Sequence, residues 1–235
     1  QLEVSNIEHI KRGDINRQKY EEESKNIRYT FYKNTIEKYC LDGVLLAHHK
    51  DDYSENVFNN IMRGKNNISN LGVFKEINKI FDVNVFRPML EFRKDVIYKL
   101  SSDFQIPYFL DTTPEWSCRG KMRNNIFPEC EECYTSNFMK NLFDLGKQSE
   151  SVNRVFYKHL INPIMESIYY GEIGFLIPKN ECMKEMIIFE SVIKNVCSEL
   201  NIGNVKKVNI QNAIDNFNTN KDVYLLSGYK SFITS

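Results

Sequence analysis

The sequence lacks an excess of charge of either sign, a long apolar run, and a second Cys-x-x-Cys pair beside Cys130-Glu-Glu-Cys133. Lysine plus arginine and aspartate plus glutamate number 31 each, so the net charge neither supports nor excludes an RNA partner. Apolar runs of only a few residues and a polar N-terminus without a signal-peptide layout predict a soluble, cytoplasmic protein with no membrane partner. The six cysteines are irregularly placed and predict reduced thiols, since a structural zinc site normally needs a second pair.

The first part of the chain alternates helical and strand patterns. A long charged helix is expected over residues 17–40 and another over residues 93–104. Short apolar segments at residues 44–47, 83–86 and 106–109 are expected to be strands, the first of them buried on both faces. The inward face of the second helix is expected to comprise Val96, Ile97 and Leu100. This alternation predicts an α/β fold with a parallel sheet and crossover helices.

The later part of the chain has a different, mainly helical character. Three amphipathic patterns lie between residues 152 and 217, and the end of the chain is typical of a hairpin that turns at Ser227-Gly228. We therefore predict an α/β domain over residues 1–129 and a small, mainly helical domain with a terminal hairpin over residues 130–235.

A dense polar cluster follows the first predicted strand. His48, His49, Asp51, Asp52 and Glu55 occur within eight residues. Ligands of open α/β sheets bind at the carboxyl ends of the strands, which is where this cluster lies. Asp52 is expected to cap the next helix, with Glu55 completing a capping box. Acidic residues are common in a first helical turn, so an ordinary helix start is one interpretation. The other, which we favour, is a site for a cation and a phosphate, because paired carboxylates coordinate Mg²⁺ through oxygen.

Helical periodicity separates two faces of the segment that follows the cluster. The polar stripe comprises Asp52, Glu55, Asn59 and Arg63. The face toward the core comprises Val57, Phe58, Ile61 and Met62.

Basic residues recur at helical spacing elsewhere. Arg119 and Arg123 lie four residues apart, with Lys121 between them, and are expected to share a helix face directed at an anion. Arg28 lies on the first long helix. For all of these residues the alternative is a solvated basic surface. The loop at residues 111–114 is expected at the same sheet edge as His48, if the strands are parallel.

Five motifs in register over roughly residues 17–128 carry a resemblance to a known family. They are Glu23-Ser-Lys-Asn-Ile-Arg28-Tyr29, His48-His-Lys-Asp-Asp52-x-x-Glu55, Arg63-Gly64, Arg87-Pro-Met-Leu90 and Asp111-Thr-Thr-Pro-x-Trp-Ser-x-Arg119-Gly-x-x-Arg123. The set resembles the tRNA(Ile)-lysidine synthetases, ligases of the PP-loop ATP pyrophosphatase group. The last motif is similar to a divergent branch of that family. The resemblance implies a PP-loop ATPase-like domain of the adenine nucleotide α-hydrolase-like kind.

The resemblance also implies a reaction. An anticodon cytidine of tRNA is adenylated by ATP at its C2 oxygen with release of pyrophosphate, and the amine of lysine then displaces AMP. By resemblance, Asp52 and Glu55 are catalytic and would hold Mg²⁺ or the lysine amine. Arg28, Arg119 and Arg123 would stabilise phosphate charge or position the RNA backbone.

Further roles follow from the same resemblance. The nucleotide pocket would be lined by His48, His49 and Asp51. The RNA would be contacted by Arg119, Lys121 and Arg123.

One feature of the family is absent from these 235 residues, namely the Ser-Gly-Gly-x-Asp-Ser loop whose N–H groups cradle pyrophosphate. The PP-loop domain is therefore expected to lack its first strand and loop. Three explanations stay open. The chain is part of a longer enzyme, the missing segment is supplied by another chain, or the protein has lost catalysis. A non-catalytic RNA- or partner-binding remnant of the fold is accordingly an alternative function. A tRNA-thiolating enzyme is a third, which would require cysteines near the nucleotide pocket.

Overall fold

Helices and short strands alternate in the part of the chain that the computed structural model describes, which comprises residues 2–7, 16–64, 71–72, 74–109, 113–135, 137–172, 174–178, 180–201, 205–219, 223–227 and 230–234. The elements that begin in the first unit, Gln1–Ser149, are α1 (Arg17–Tyr39), β1 (Val44–Leu45), α2 (Lys50–Met62), β2 (Ile77–Ile80), β3 (Val83–Phe86), α3 (Lys94–Asp103), α4 (Cys118–Lys121), a π-turn (Met122–Ile126), α5 (Phe127–Tyr134) and α6 (Phe138–Phe156). Those of the second unit, Glu150–Ser235, are a π-helical segment (Tyr157–Ile161), α7 (Asn162–Glu166), β4 (Tyr169–Tyr170), β5 (Phe175–Leu176), a 3₁₀ turn (Glu181–Lys184), α8 (Met186–Glu199), α9 (Lys207–Asn218), β6 (Val223–Ser227) and β7 (Lys230–Thr234).

The described sheet of the first unit has the order β1-β3-β2 and is mixed rather than parallel. As predicted, β1 runs parallel to β3. Val44 lies opposite Val85 in this pair. β2 was not predicted, and it pairs antiparallel with β3. Phe81 and Asp82 join these two strands, and both have positive φ values, 49° and 64°. Two consecutive residues in the left-handed region form a tight turn that connects antiparallel strands. The prediction of a purely parallel sheet was therefore wrong.

β1 is buried on one face only, contrary to the prediction for residues 44–47. Val44 and Leu46 pack on a cluster that includes Tyr29, Val83 and Val85. Leu45 points to the other face and is 75% exposed. Side chains alternate along a strand, so the α1 side is covered while the described residues leave the opposite side open.

Helix α1 agrees with its predicted span, and α3 agrees within one residue at each end. The predicted inward face of α3 was wrong, because Val96 and Leu100 are exposed. Residues 106–109 do not form a strand, and Phe109 is 95% exposed. The segment at residues 106–109 instead contacts α3 through Tyr108, whose ring centroid lies 5.2 Å from that of Tyr98.

Helix α2 packs against α6. Tyr53 and Val57 are buried with Phe143, whose ring centroid is 5.1 Å from that of Tyr53. A Cβ at Gly146 would lie 2.3 Å from the Tyr53 ring, so only glycine permits this approach. Met62, predicted to face the core, is 65% exposed because α2 ends at this residue.

The second unit has its own core between α7, α8 and α9. Its central residues include Ile161, Val192, Val196 and Ile210. The chain closes with β6 and β7, which pair antiparallel with Val223 opposite Thr234, whereas the predicted turn residue Gly228 lies outside the described residues. The predicted domain boundary after residue 129 stays a prediction. No helix among the described residues is long and apolar enough to cross a membrane.

Candidate functional site

The polar cluster begins at the N-terminus of α2, which is capped by His49. Its Nδ1 accepts from the backbone N–H of Asp52 at 3.4 Å, and Oδ2 of Asp52 accepts from the backbone N–H of His49 at 3.1 Å. The predicted capping by Asp52 was therefore wrong by three residues. His49 has the extended backbone of an N-cap, and its imidazole nitrogen replaces the usual oxygen acceptor. Asp52 is consequently the third helical residue, and its second oxygen, Oδ1, is directed elsewhere.

Arg123 joins the two carboxylates of α2. Its Nε donates to Oε1 of Glu55 at 2.5 Å and its Nη2 to Oε2 at 3.1 Å, a bidentate pair. The same Nη2 lies 3.1 Å from Oδ1 of Asp52, and Nη1 donates to Oγ1 of Thr113 at 3.4 Å. Glu55 is only 3% exposed. The structure thus brings Asp52 and Glu55 together, as expected, and adds Arg123, for which the sequence predicts contacts with phosphate or RNA.

A tight loop and a widened helical turn place Arg123 in this position. Oγ of Ser117 accepts from the N–H of Gly120 at 2.9 Å and caps α4. A Cβ at Gly120 would lie 2.3 Å from the carbonyl oxygen of Pro114, so the loop closes only around glycine. Arg123 then lies in the π-turn, a local irregularity common at functional sites. The helix face that Arg119 and Arg123 are expected to share stays a prediction, and the change from α4 to the π-turn lies between the two residues.

His48 is held by Arg87, which directly follows the neighbouring strand β3. Its Nδ1 accepts from Nε of Arg87 at 3.2 Å, and its ring lies against Phe74 with centroids 4.4 Å apart. Burial lowers the pKa of His48, with smaller effects of the same sign from Arg87, Arg119 and His49 and an opposing one from Asp52. The imidazole is therefore neutral near pH 7.

The other predicted site residues are distributed around this centre. Oδ2 of Asp51 accepts from the backbone N–H of Lys94 at 2.9 Å, which ties α2 to the start of α3. Arg119 and Lys121 are exposed on α4. Arg28 is exposed on α1, and no described contact brings it to the carboxylates. Asp111 and Thr112 of the last motif lie outside the described residues.

Magnesium does not fit the carboxylate pair as the side chains stand. A Mg²⁺ ion requires free oxygen ligands, whereas a guanidinium already occupies both carboxylates. Within the described ranges, no group of three or more histidine, cysteine, aspartate or glutamate side chains is arranged to hold a metal. The cysteines, including Cys130 and Cys133, are free thiols. Metal binding by Asp52 and Glu55 stays a prediction without support from this geometry.

Comparison with known proteins identifies the family of the chain. A family model described as the PP-loop domain matches residues 1–130, a span that contains α1, α2, β3 and Arg123. The chain belongs to the PP-loop domain family.

Two curated proteins to which this chain is similar are named tRNA(Ile)-lysidine synthase. The protein from Chlamydia caviae is 28% identical over 181 residues, which are 76% of this chain and 56% of the relative. The protein from Chlamydia felis is 30% identical over 150 residues, 63% of this chain and 47% of the relative. The resemblance drawn from the motifs is thereby confirmed. The chain spans about half the length of these curated relatives.

Arg87 is part of one of the sequence motifs, but no role in the site was predicted for it. It is 3% exposed and donates from Nη1 to the carbonyl of Lys75 at 2.9 Å and to Oδ1 of Asn78 at 2.7 Å. Its signal was available, because a single arginine directly follows the apolar strand β3, whose carboxyl end lies at the same edge as His48.

Proposed function

We propose that this chain carries part of the active site of an ATP-dependent tRNA-modifying ligase of the lysidine synthetase kind. The proposed reaction is adenylation of an anticodon cytidine, followed by attack of the lysine amine with release of AMP. The carrying observation is the cluster of Asp52, Glu55 and Arg123 at the N-terminus of α2, within the PP-loop domain. The names of the relatives support the substrate class.

The two carboxylates have different environments, which supports different roles. The Glu55 side chain is 4% exposed and both of its oxygens bind Arg123, so we assign to it the positioning of that arginine. The Asp52 side chain is more accessible and shares its oxygens between His49 and Arg123. Two carboxylates and one guanidinium leave one net negative charge, which favours a substrate cation. Asp52 would therefore hold the lysine ammonium.

Positive charge lies next to this acidic centre. Arg119 is exposed on α4, and its positive charge contributes to the lowered pKa of His48. Arg119 would bind phosphate oxygens of the nucleotide or of the tRNA, and the exposed Lys121 would contact the tRNA backbone. Arg28 would act on phosphate charge only if ligand binding brings it to the cluster.

The test separates chemistry from folding with isosteric variants. Pyrophosphate release and lysine incorporation are measured with ATP, lysine and tRNA, for the 235-residue chain and for a fusion that adds a Ser-Gly-Gly-x-Asp-Ser segment. Asp52→Asn keeps an oxygen acceptor for the His49 N–H but loses the charge, so melting should change little while lysine transfer falls about 10²-fold. Asp144→Asn, on exposed α6 surface, is the matched control.

Two results would reject the proposal. One is the absence of lysine incorporation in both the chain and an otherwise folded fusion. The other is an unchanged rate of lysine transfer for Asp52→Asn, which would favour the interpretation of the cluster as an ordinary helix start.

A further inference from the structure

The contact between Arg87 and His48 determines which imidazole nitrogen carries the proton. Nε of Arg87 donates to Nδ1 of His48 at 3.2 Å. A guanidinium has five N–H donors, no acceptor, and remains charged throughout the physiological range. Nδ1 must therefore present a lone pair. A neutral imidazole carries one proton, and that proton must lie on Nε2.

Arg87 is itself rigidly held. Nη1 donates to the carbonyl of Lys75 and to Oδ1 of Asn78, and the guanidinium lies 5.0 Å from the centroid of the Phe74 ring. The same ring lies against His48. The orientation of the imidazole is consequently fixed from one edge by Arg87 and from one face by Phe74, and Nε2 has no hydrogen-bond partner among the described residues.

We propose that Arg87 is a positioning residue that holds His48 as its Nε2–H tautomer, so that His48 donates a hydrogen bond to a phosphate oxygen of the nucleotide. This inference rests on the proposed function, because the nucleotide is the ligand. The alternative role of His48, a general base, requires a lone pair on Nε2, which this tautomer lacks.

The surrounding charges agree with a neutral donor. The charged and titratable groups that act on His48 are Asp52 and His49 from the α2 region, Arg87 at the end of β3, and Arg119 from α4. Protonation of His48 would add a hydrogen to Nδ1, directed at the Arg87 N–H, and would break the contact. Donation from a neutral imidazole therefore does not require acid, whereas a salt bridge from imidazolium to phosphate would.

The first experiment measures the tautomer in the 235-residue chain by nitrogen-15 NMR of the histidine rings. The His48 signals are assigned by their loss in His48→Gln. We expect Nδ1 in the unprotonated range and Nε2 in the N–H range at neutral pH. Arg87→Met should raise the pH at which His48 takes up its second proton. Asn78→Ala, which removes a different partner of Arg87, should not.

This experiment can overturn the inference without any variant that folds poorly. A wild-type His48 that carries its proton on Nδ1, or that is doubly protonated at neutral pH, would refute the positioning role. An unchanged titration in a folded Arg87→Met protein would do the same.

The second experiment measures ATP binding by calorimetry for two substitutions of His48. The amide nitrogen of glutamine approximates Nε2, so His48→Gln should bind ATP within about threefold of wild type. His48→Asn places its amide near Nδ1 instead, and its affinity should fall about tenfold, the scale of one lost hydrogen bond. Equal affinities for both variants and wild type would refute donation by His48. Absence of ATP binding by both the wild-type chain and the fusion with the Ser-Gly-Gly-x-Asp-Ser segment would instead count against the proposed function, while the NMR result would still decide the role of Arg87.

Discussion

Arg123 and Glu55 form a bidentate ion pair, with guanidinium nitrogens 2.5 and 3.1 Å from the two carboxylate oxygens. The pair joins the π-turn to the first turns of α2 across 68 positions of sequence. Glu55 is buried, so its charge is compensated inside the protein by this arginine. The acidic helix start and the basic motif therefore form one structural unit.

Removal of Arg123 should be costly because it leaves a buried, uncompensated carboxylate. We expect Arg123→Met to lower the free energy of unfolding by about 3 kcal/mol. Adding Glu55→Gln should recover part of this loss, and a double-mutant cycle in urea would measure the coupling. The exposed pair Lys140–Asp144 is the matched control, with an expected coupling of about 0.5 kcal/mol or less. Equal couplings for the two pairs would contradict the buried-charge argument.

Gly120 should tolerate no side chain. Its Cβ would lie 2.3 Å from the Pro114 carbonyl oxygen, which belongs to the backbone and cannot rotate away. Gly120→Ala should therefore destabilise the first unit by about 1–3 kcal/mol in denaturant titration. Gly174→Ala, where nothing lies within 4 Å of the added carbon, should stay within about 0.5 kcal/mol of wild type. Similar losses at both positions would exclude the close approach as the cause.

Acid should destabilise the protein partly through His48. Folding lowers the pKa of His48, chiefly through burial, so the unfolded chain binds this proton more readily. The free energy of unfolding should then fall as the pH decreases through the ordinary imidazole value of 6.5 toward the lower folded value. Urea unfolding measured from about pH 7.5 to about pH 5.5 should show a flatter dependence in His48→Gln. His159→Gln, which removes an exposed histidine of the second unit, is the matched control.

Arg119 and Lys121 should contribute to RNA affinity through phosphate contacts. Both are exposed on α4, and each phosphate contact releases counterions. The double variant Arg119→Gln/Lys121→Gln should reduce the slope of log affinity for tRNA against log salt by about 1.5 in gel-shift titrations. Lys140→Gln/Lys194→Gln removes the same charge from ion pairs elsewhere and should leave the slope nearly unchanged. If wild-type protein binds no tRNA at low salt, the RNA assignment fails.

The parts of the site that are local in sequence could be predicted. Helix α2, the strand before it and the proximity of Asp52 to Glu55 follow from periodicity over a few residues. The contacts from Arg87 to His48 and from Arg123 to Glu55 could not be predicted, since they span 39 and 68 positions and depend on tertiary packing. The missed strand β2 has the same cause, because a polar Ile-Asn-Lys-Ile segment becomes a strand only through pairing with β3.

The π-turn sets the spacing of two residues, Arg123 and Phe127, that both contact α2. Arg123 contacts Glu55, and Phe127 contacts Phe58 with ring centroids 5.3 Å apart, so one helical segment meets α2 through a charged contact and an aromatic contact. A deletion of one residue between the two would rotate the following helix by about 100° and separate these contacts. The number of residues between Arg123 and Phe127, more than their identity, therefore determines whether the charged contact and the aromatic contact with α2 form together.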